Sequence, residues 1–191
     1  MNYWFLYKSD GTIYGPPYLG NAEDWTNIPA ECAGVLGPIP DIDPVATDAW
    51  KHPNHYAVQN AQLVKTVTDA QLLAEAKQEK HAYLDQQLAA TYNTGFTSSA
   101  TGTTIAWPFD DQAQNKWSWL LNLVTSGLFP ASGVQVQDIN GNRYTITDPN
   151  IAKTLCTDAM HFYLKWDQHH YSLTQQVQAA TTVDQVNAIT W

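Results

Sequence analysis

The chain has 191 residues, 14% of them charged, and a net charge of −9. That length suits one ordinary domain or a small module beside a larger one, and the 44% hydrophobic content predicts a packed core. The acidic balance argues against nucleic acid and anionic membranes as partners, no apolar run approaches the roughly 20 residues of a membrane span, and residues 1–7 lack the basic region of a secretion signal.

The first strands are predicted near the N-terminus. Residues 3–7 are rich in aromatic side chains and are followed by a turn at 8–11 that ends in glycine. Residues 12–14 then supply a short return strand, which predicts a β-hairpin. Because proline cannot donate to a strand ladder, Gly15-Pro16-Pro17 is expected to break the sheet.

A linker and a second hairpin are predicted next. Prolines lie among aspartates from Gly37 to Asn54, a pattern typical of a linker or an extended arm. Residues 56–58 and 63–67 read as two strands around a turn at 59–61. Residues 1–67 therefore form a small β module with too little apolar mass for a large core.

The sequence changes character at Thr68. Thr68 and Gln71 match a capping box, in which each side chain satisfies an amide at a helix start. Apolar positions then recur at helical spacing as far as Tyr92, and Asn93-Thr94-Gly95 supplies a stop. This predicts a long helix over about residues 68–92.

A strand, a helix and a hairpin are predicted in the middle of the chain. Residues 103–107 indicate a short strand. A helix follows that ends near Gly127, with Trp117, Leu120, Leu121 and Val124 on its buried side. The Asn140-Gly141 pair tolerates positive φ, so residues 134–136 and 143–146 are expected to form a hairpin around it.

Two more helices end the chain. Asp148 and Pro149 are an N-cap and a first helical residue, and they predict a long helix. A second capping box at Thr182 and Gln185 opens a short final helix. The predicted fold class is α+β: an N-terminal β module (1–67) with its Pro-rich joint, and a helical C-terminal domain (68–191) with one inserted β-hairpin.

Three segments of the C-terminal part resemble a known family. They are residues 95–102 (GFTSSATG) directly after a helix, residues 107–115 (WPFDDQAQN), and residues 179–191 (AATTVDQVNAITW). In this order, and with the Gly-containing hairpin and long helix between them, they resemble an uncharacterised phage and prophage tail domain associated with tail-fibre assembly proteins. The resemblance covers about residues 68–191, and residues 1–67 match less clearly.

The resemblance implies a function in bacteriophage tail assembly. We expect a chaperone or cap that binds a tail-fibre or baseplate protein, located in the host bacterial cytoplasm during assembly or in the virion tail. A permanent virion subunit of the fibre or baseplate is the alternative, and a glycan-binding tip is a third. The family has no established catalytic residues, so the resemblance implies no enzyme, no cofactor and no small-molecule substrate.

Residues that could support chemistry have simpler interpretations. His161, Asp167, His169 and His170 form the densest metal-like cluster, but adjacent histidines on one helix point about 100° apart. His52 and His55 could supply another pair of ligands. The aspartate pairs Asp110-Asp111 and Asp41/Asp43 could act in acid–base catalysis, although such residues usually cap helices or form turns. No phosphate-binding loop or nucleophile elbow is present, so we expect neither a metal site nor an active site.

The aromatic side chains are the strongest functional signal. The chain has eight tryptophans and ten tyrosines, residue types that dominate interface hot spots. Trp117, Trp119, Phe162 and Trp166 are expected to fill the core. Six others lie in the thin N-terminal module and are candidates for partner binding, with a small aromatic core as the alternative: Trp4, Tyr7, Tyr14, Tyr18, Trp25 and Trp50.

Cys32 and Cys156 are the only cysteines. They could close one long-loop disulfide. The missing secretion signal favours two reduced thiols that fill core positions.

Overall fold

The computed structural model describes residues 1–21, 25 and 27–191, which form two compact units, Met1–Leu72 and Leu73–Trp191. Both contain helices together with small antiparallel sheets, which confirms the predicted α+β class. The sequence placed the boundary between residues 67 and 68, at the predicted start of the first long helix. Among the described residues, no helix combines the length and apolarity that a membrane crossing requires.

The N-terminal unit is built on a three-stranded antiparallel sheet. Its strands are β1 (Asn2–Tyr7), β2 (Tyr18–Gly20) and β3 (Gly34–Pro40), in the order β2-β1-β3. The predicted return strand at 12–14 is reduced to two isolated bridges beside a tight turn: Ile13 pairs with Tyr7, and Thr12 pairs with Ala57. The expected break at Gly15-Pro16-Pro17 is wrong as an end of the sheet, because β2 follows immediately and pairs with β1.

The predicted linker at Gly37 to Asn54 is also wrong. Its first residues belong to β3, and Pro44–Lys51 form helix α1. The prolines fit because β3 is an edge strand, which can lose a ladder donor, and because Pro44 is at the start of a helix, where its missing N–H has no partner to lose. The Asp43 carboxylate caps α1 by accepting from the Ala46 amide at 2.8 Å.

Helix α1 covers one face of the sheet. Tyr3 and Phe5 alternate with Trp4 along β1, and both pack with Ala46 and Ala49 of α1 in the core of this unit. The predicted second hairpin is confirmed as β4 (Tyr56–Gln59) and β5 (Gln62–Lys65). Its two-residue turn, Asn60-Ala61, has positive φ at both positions, as a tight hairpin turn requires.

The C-terminal elements follow the predicted order with one addition: a strand at Phe96–Ser98 gives this unit two hairpins, so the prediction of one inserted hairpin is wrong. Helix α2 (Asp69–Asn93) begins at the predicted capping box, in which the Thr68 amide donates to the Gln71 side chain at 2.8 Å. The remaining elements are β6 (Phe96–Ser98), β7 (Ile105–Trp107), α3 (Asp111–Thr125), β8 (Val134–Gln137), β9 (Arg143–Ile146), α4 (Pro149–Ala179) and α5 (Val183–Asn187). Strands β6 and β7 form one hairpin, and β8 and β9 form another.

Two apolar clusters hold the C-terminal unit together. The larger contains Phe96, Trp107, Phe109, Ala113, Trp117, Leu120, Val134, Ile146, Ala152, Leu155, Cys156 and Ala159, from both hairpins and from α3 and α4. The smaller joins Leu84 of α2 to Leu173 and Val177 of α4 and to Ile189. Gly95, at φ +75°, links α2 to β6; a Cβ there would lie 2.2 Å from the Trp107 carbonyl oxygen.

Candidate functional site

Three of the six candidate aromatic residues form one continuous row of rings. Trp4 projects from the face of β1 opposite to α1, and its ring centroid lies 5.3 Å from that of Trp25. The Trp25 ring in turn meets the edge of Tyr18 at 5.5 Å. Trp4 is 6% exposed and Tyr18 is 52% exposed. This aromatic row, Trp4, Trp25 and Tyr18, therefore runs from the interior of the N-terminal unit to its surface.

The buried end of the aromatic row is tightly enclosed. Gly37 of β3 lies against the Trp4 ring, and a Cβ on Gly37 would come within 2.6 Å of it. The indole nitrogens of Trp4 and Trp25 are buried and find no acceptor among the described residues. Trp4 thus belongs to the alternative that the sequence left open, a small aromatic core, and it supports the two outer rings rather than offering a surface itself.

Trp50 lies on the other side of the sheet. It projects from α1, its ring is 5.9 Å from that of Tyr3, and it is 39% exposed. Tyr3 and Trp4 point to opposite faces because they are adjacent in a strand. The structure therefore separates Trp50 from the aromatic row.

Tyr7 and Tyr14 are both half-buried. The Lys8 ammonium lies 5.8 Å from the centre of the Tyr14 ring, within the range of a cation–π contact. Neither tyrosine is a member of the aromatic row. The six candidates thus do not form one patch.

A hydrogen-bonded pair links α1 to β4. The Tyr56 hydroxyl donates to the Asp48 carboxylate at 2.6 Å. This bond lowers the pKa of Asp48, whereas burial together with the bond to Asp48 raises the pKa of Tyr56 to about 12. The pair fixes the helix on the second hairpin and was not foreseen from the sequence, because it depends on a tertiary contact.

The histidines that suggested a metal site are engaged elsewhere. His170 lies 2.9 Å from the Asp85 carboxylate of α2, and the His169 ring meets Trp191 edge-on at 5.0 Å. His52 and His55 stack on each other with ring centroids 5.1 Å apart. Within the described parts of the chain, no three His, Cys, Asp or Glu side chains are grouped to hold a metal ion.

Two of the four candidate acids serve as helix caps. Asp110 accepts from the Ala113 amide at 2.8 Å, at the start of α3, and Asp43 does the same for α1. Asp111 lies in the first turn of α3, where the helix dipole favours a negative charge. Asp41 lies 3.1 Å from the amino group of Met1. The capping interpretation is thus confirmed for Asp43 and Asp110.

A polar depression that the sequence did not indicate lies between β6 and α4. The Ser98 hydroxyl donates to Asp158 at 2.5 Å and also accepts from the Ala100 amide at 3.2 Å. His161 and Lys165 line the same cavity, of about 490 Å³. Because both bonds of Ser98 tie the GFTSSATG segment to α4 and to its own turn, we interpret them as fold-specifying contacts.

A larger groove lies between α3 and β8, with a volume of about 670 Å³. Trp119, which was expected in the core, is 53% exposed and lies in this groove. That expectation is wrong because Trp119 is two residues from the buried Trp117, and a helix turns about 200° over two residues. Lys116 and Arg143 also line the groove.

Comparison with known proteins gives no relative: no family model, no curated protein and no solved structure matches the chain. The resemblance to phage tail proteins rests on the three quoted segments and remains a prediction.

Proposed function

We propose that the chain is a bacteriophage tail-fibre-associated protein that binds a tail-fibre or baseplate protein and acts in fibre assembly as a chaperone or cap. The observation that supports a binding role most directly is the aromatic row, whose outer ring, Tyr18, is exposed while its inner ring, Trp4, is held rigidly. A rigid, half-exposed aromatic residue loses little conformational entropy on binding. Such residues are favoured as interface anchors.

The energy available from these rings can be estimated from their exposed area. A large aromatic side chain buries about 200 Å², and Tyr18 and Trp50 each keep roughly half of that exposed. At about 25 cal/mol per Å², covering either ring contributes about 2.5 kcal/mol. Either substitution to alanine should thus weaken a complex by up to about two orders of magnitude if that ring is covered.

The test is co-expression with the fibre protein of the same phage. We expect more native fibre trimer with the chain than without it, and less when Tyr18→Ala or Trp50→Ala replaces the natural chain. Ile42→Ala is the control, because Ile42 is highly exposed but is not aromatic. It takes no part in the contact of Tyr18 with Trp25 or in that of Trp50 with Tyr3. If the fibre trimerises equally well without the chain, the chaperone role is refuted.

The alternative, a permanent virion subunit, has a separate test. A chaperone leaves after assembly, whereas a subunit remains in stoichiometric amounts. Mass spectrometry of purified phage particles distinguishes the two. If the chain is detected at a copy number that matches the fibre or baseplate, it is a permanent subunit and not a chaperone.

A further inference from the structure

The α3–β8 groove has one wall made by a helix and the other by a strand. One face of α3 lines it with Gln112, Lys116 and Trp119, which are spaced at i, i+4 and i+7. All four residues of β8, Val134 to Gln137, line the opposite wall. Side chains of alternate strand residues point to opposite faces, so a lining that includes every residue of β8 fits a groove along the edge of the strand.

Among the residues that the structure describes, the main-chain groups on that edge of β8 have no hydrogen-bond partner. The sheet has two strands, so β8 pairs only with β9. The Asp138 amide donates to the Asn142 carbonyl at 3.0 Å, and the register continues through Val136↔Tyr144 and Val134↔Ile146. In an antiparallel ladder hydrogen-bonded pairs alternate with non-bonded ones, so the N–H and C=O of Gln135 and Gln137 point away from β9.

Two exposed cations also reach the groove. Lys116 and Arg143 are two of only nine lysines and arginines in the chain, and neither forms an ion pair within the described residues. The two acids at the groove are engaged: Asp110 caps α3, and both oxygens of Asp138 accept hydrogen bonds from the hairpin turn. Both carboxylates keep their charge, so the groove carries equal numbers of acids and bases. The two cations are the charged side chains whose binding groups are left open to a ligand, because Asp138 is buried beneath its donors and Asp110 is tied to the start of α3.

We infer that the α3–β8 groove binds an extended, acidic peptide segment of a partner protein, which pairs with β8 as a third strand. The outward groups of Gln135 and Gln137 offer up to four main-chain hydrogen bonds, Lys116 and Arg143 attract its carboxylates, and Trp119 packs against an apolar side chain. The volume falls within the range of about 300–1,000 Å³ typical of binding clefts. This inference does not depend on the tail-fibre proposal, because it concerns another surface and requires only an acidic strand.

Two other occupants fit less well. A second copy that paired symmetrically through its own β8 would bring no carboxylate to Lys116 and Arg143, because that strand contains none. A glycan could stack on Trp119 but would leave the strand edge unpaired.

The experiment selects ligands for the full chain from a display library of random short peptides and measures the affinity of selected peptides by fluorescence anisotropy. We expect acidic peptides with alternating β-branched residues. Lys116→Glu or Arg143→Glu should each weaken binding at least tenfold at low salt, and Lys153→Glu, a charge reversal on an exposed lysine of α4, should leave it within about twofold.

A proline substitution isolates the strand edge. Gln135→Pro removes an outward N–H without removing a bond to β9, and it should weaken binding about fivefold or more. Thr145→Pro is the matched control, because Thr145 is the partner of Gln135 and its N–H points out of the other edge of the hairpin. Circular dichroism of both variants checks that the fold is kept.

Several results would overturn the inference. Selection of no peptides, or of peptides without acidic residues, would do so. If Gln135→Pro and Thr145→Pro weaken peptide binding equally, the proposed pairing with the edge of β8 is refuted. If analytical ultracentrifugation shows dimers of the natural chain and Gln135→Pro dissociates them, the groove binds a second copy of the chain. Glycan-array binding that Trp119→Ala abolishes and Gln135→Pro leaves intact would assign it to a sugar.

Discussion

Leu84→Ala is the sharpest test of how α2 is held in the C-terminal unit. Leu84 is 0% exposed and is the one residue of α2 that is fully buried, although the helix has 25 residues. It contacts the cluster of Leu173, Val177 and Ile189. Truncating a fully buried leucine removes its transfer free energy and leaves a cavity, which together cost about 2–5 kcal/mol.

We expect a loss near the middle of that range, about 3 kcal/mol, because the cluster is small and has few other side chains to fill the gap. With a urea m-value of about 2 kcal/mol per M, the urea concentration at the midpoint of the unfolding transition that includes α2 should fall by about 1.5 M. Far-ultraviolet circular dichroism follows the transition, since a helix of this length contributes strongly to the signal.

Leu128→Ala is the matched control, with the same chemical change at a leucine that is 70% exposed. Its effect should stay within about 0.5 kcal/mol. If Leu84→Ala destabilises no more than Leu128→Ala, α2 is not held through Leu84, and the described packing of the smaller cluster is refuted.

Three further outcomes are expected. With a thiol reagent at pH 8, half-buried Cys32 should react with the folded protein. Cys156 should react only after denaturation, because burial raises its pKa to about 11. If no thiol reacts in denaturant, the two cysteines form a disulfide. The free energy of unfolding should fall as pH rises from about 10 to about 12, because the pKa of Tyr56 is higher in the folded state than in the unfolded state. Tyr56→Phe should make this fall less steep. An unchanged slope in the variant would contradict the raised pKa of Tyr56. Asp43→Ala removes the N-cap of α1, which should cost the helix about 1 kcal/mol and speed tryptic cleavage at Lys51 about fivefold. If trypsin cleaves the natural chain equally fast, residues 44–51 behave as a linker and not as a stable helix.

The elements that the sequence predicted well are those with local signals. The side chains of Thr68 and Thr182 cap helices through residues three positions away, and Asp148 caps α4 through the Asn150 amide. The Asn-Gly turn likewise joins neighbouring strands. Because each of these interactions lies within a few residues of chain, composition and spacing reveal it.

The errors lie where a distant partner decides the structure. β3 is a strand because it pairs with β1, more than 25 residues away, and its prolines are tolerated only because the strand is at the edge. Trp4 is buried because Trp25 covers it, and no local pattern indicates this contact. The groove was missed for the same reason: Trp119 and Gln135 are 16 positions apart, and neither residue is unusual in its own segment.

The free edge of β8 differs from the outer edges of β4, β5 and β7. The outer edge of β4 is paired, since the Val58 amide donates to the Gly11 carbonyl, and β7 receives the Ile139 amide at its Ala106 carbonyl. Strand β5 ends in Lys65, a charge of the kind that discourages further pairing. Strand β8 has no charged residue, and its edge faces a groove with room for one more chain. An edge of this kind invites pairing with another strand unless something covers it. Beside it lie two cations that form no ion pair within the part of the chain that the structure describes, and together these features favour a peptide ligand over an unused surface.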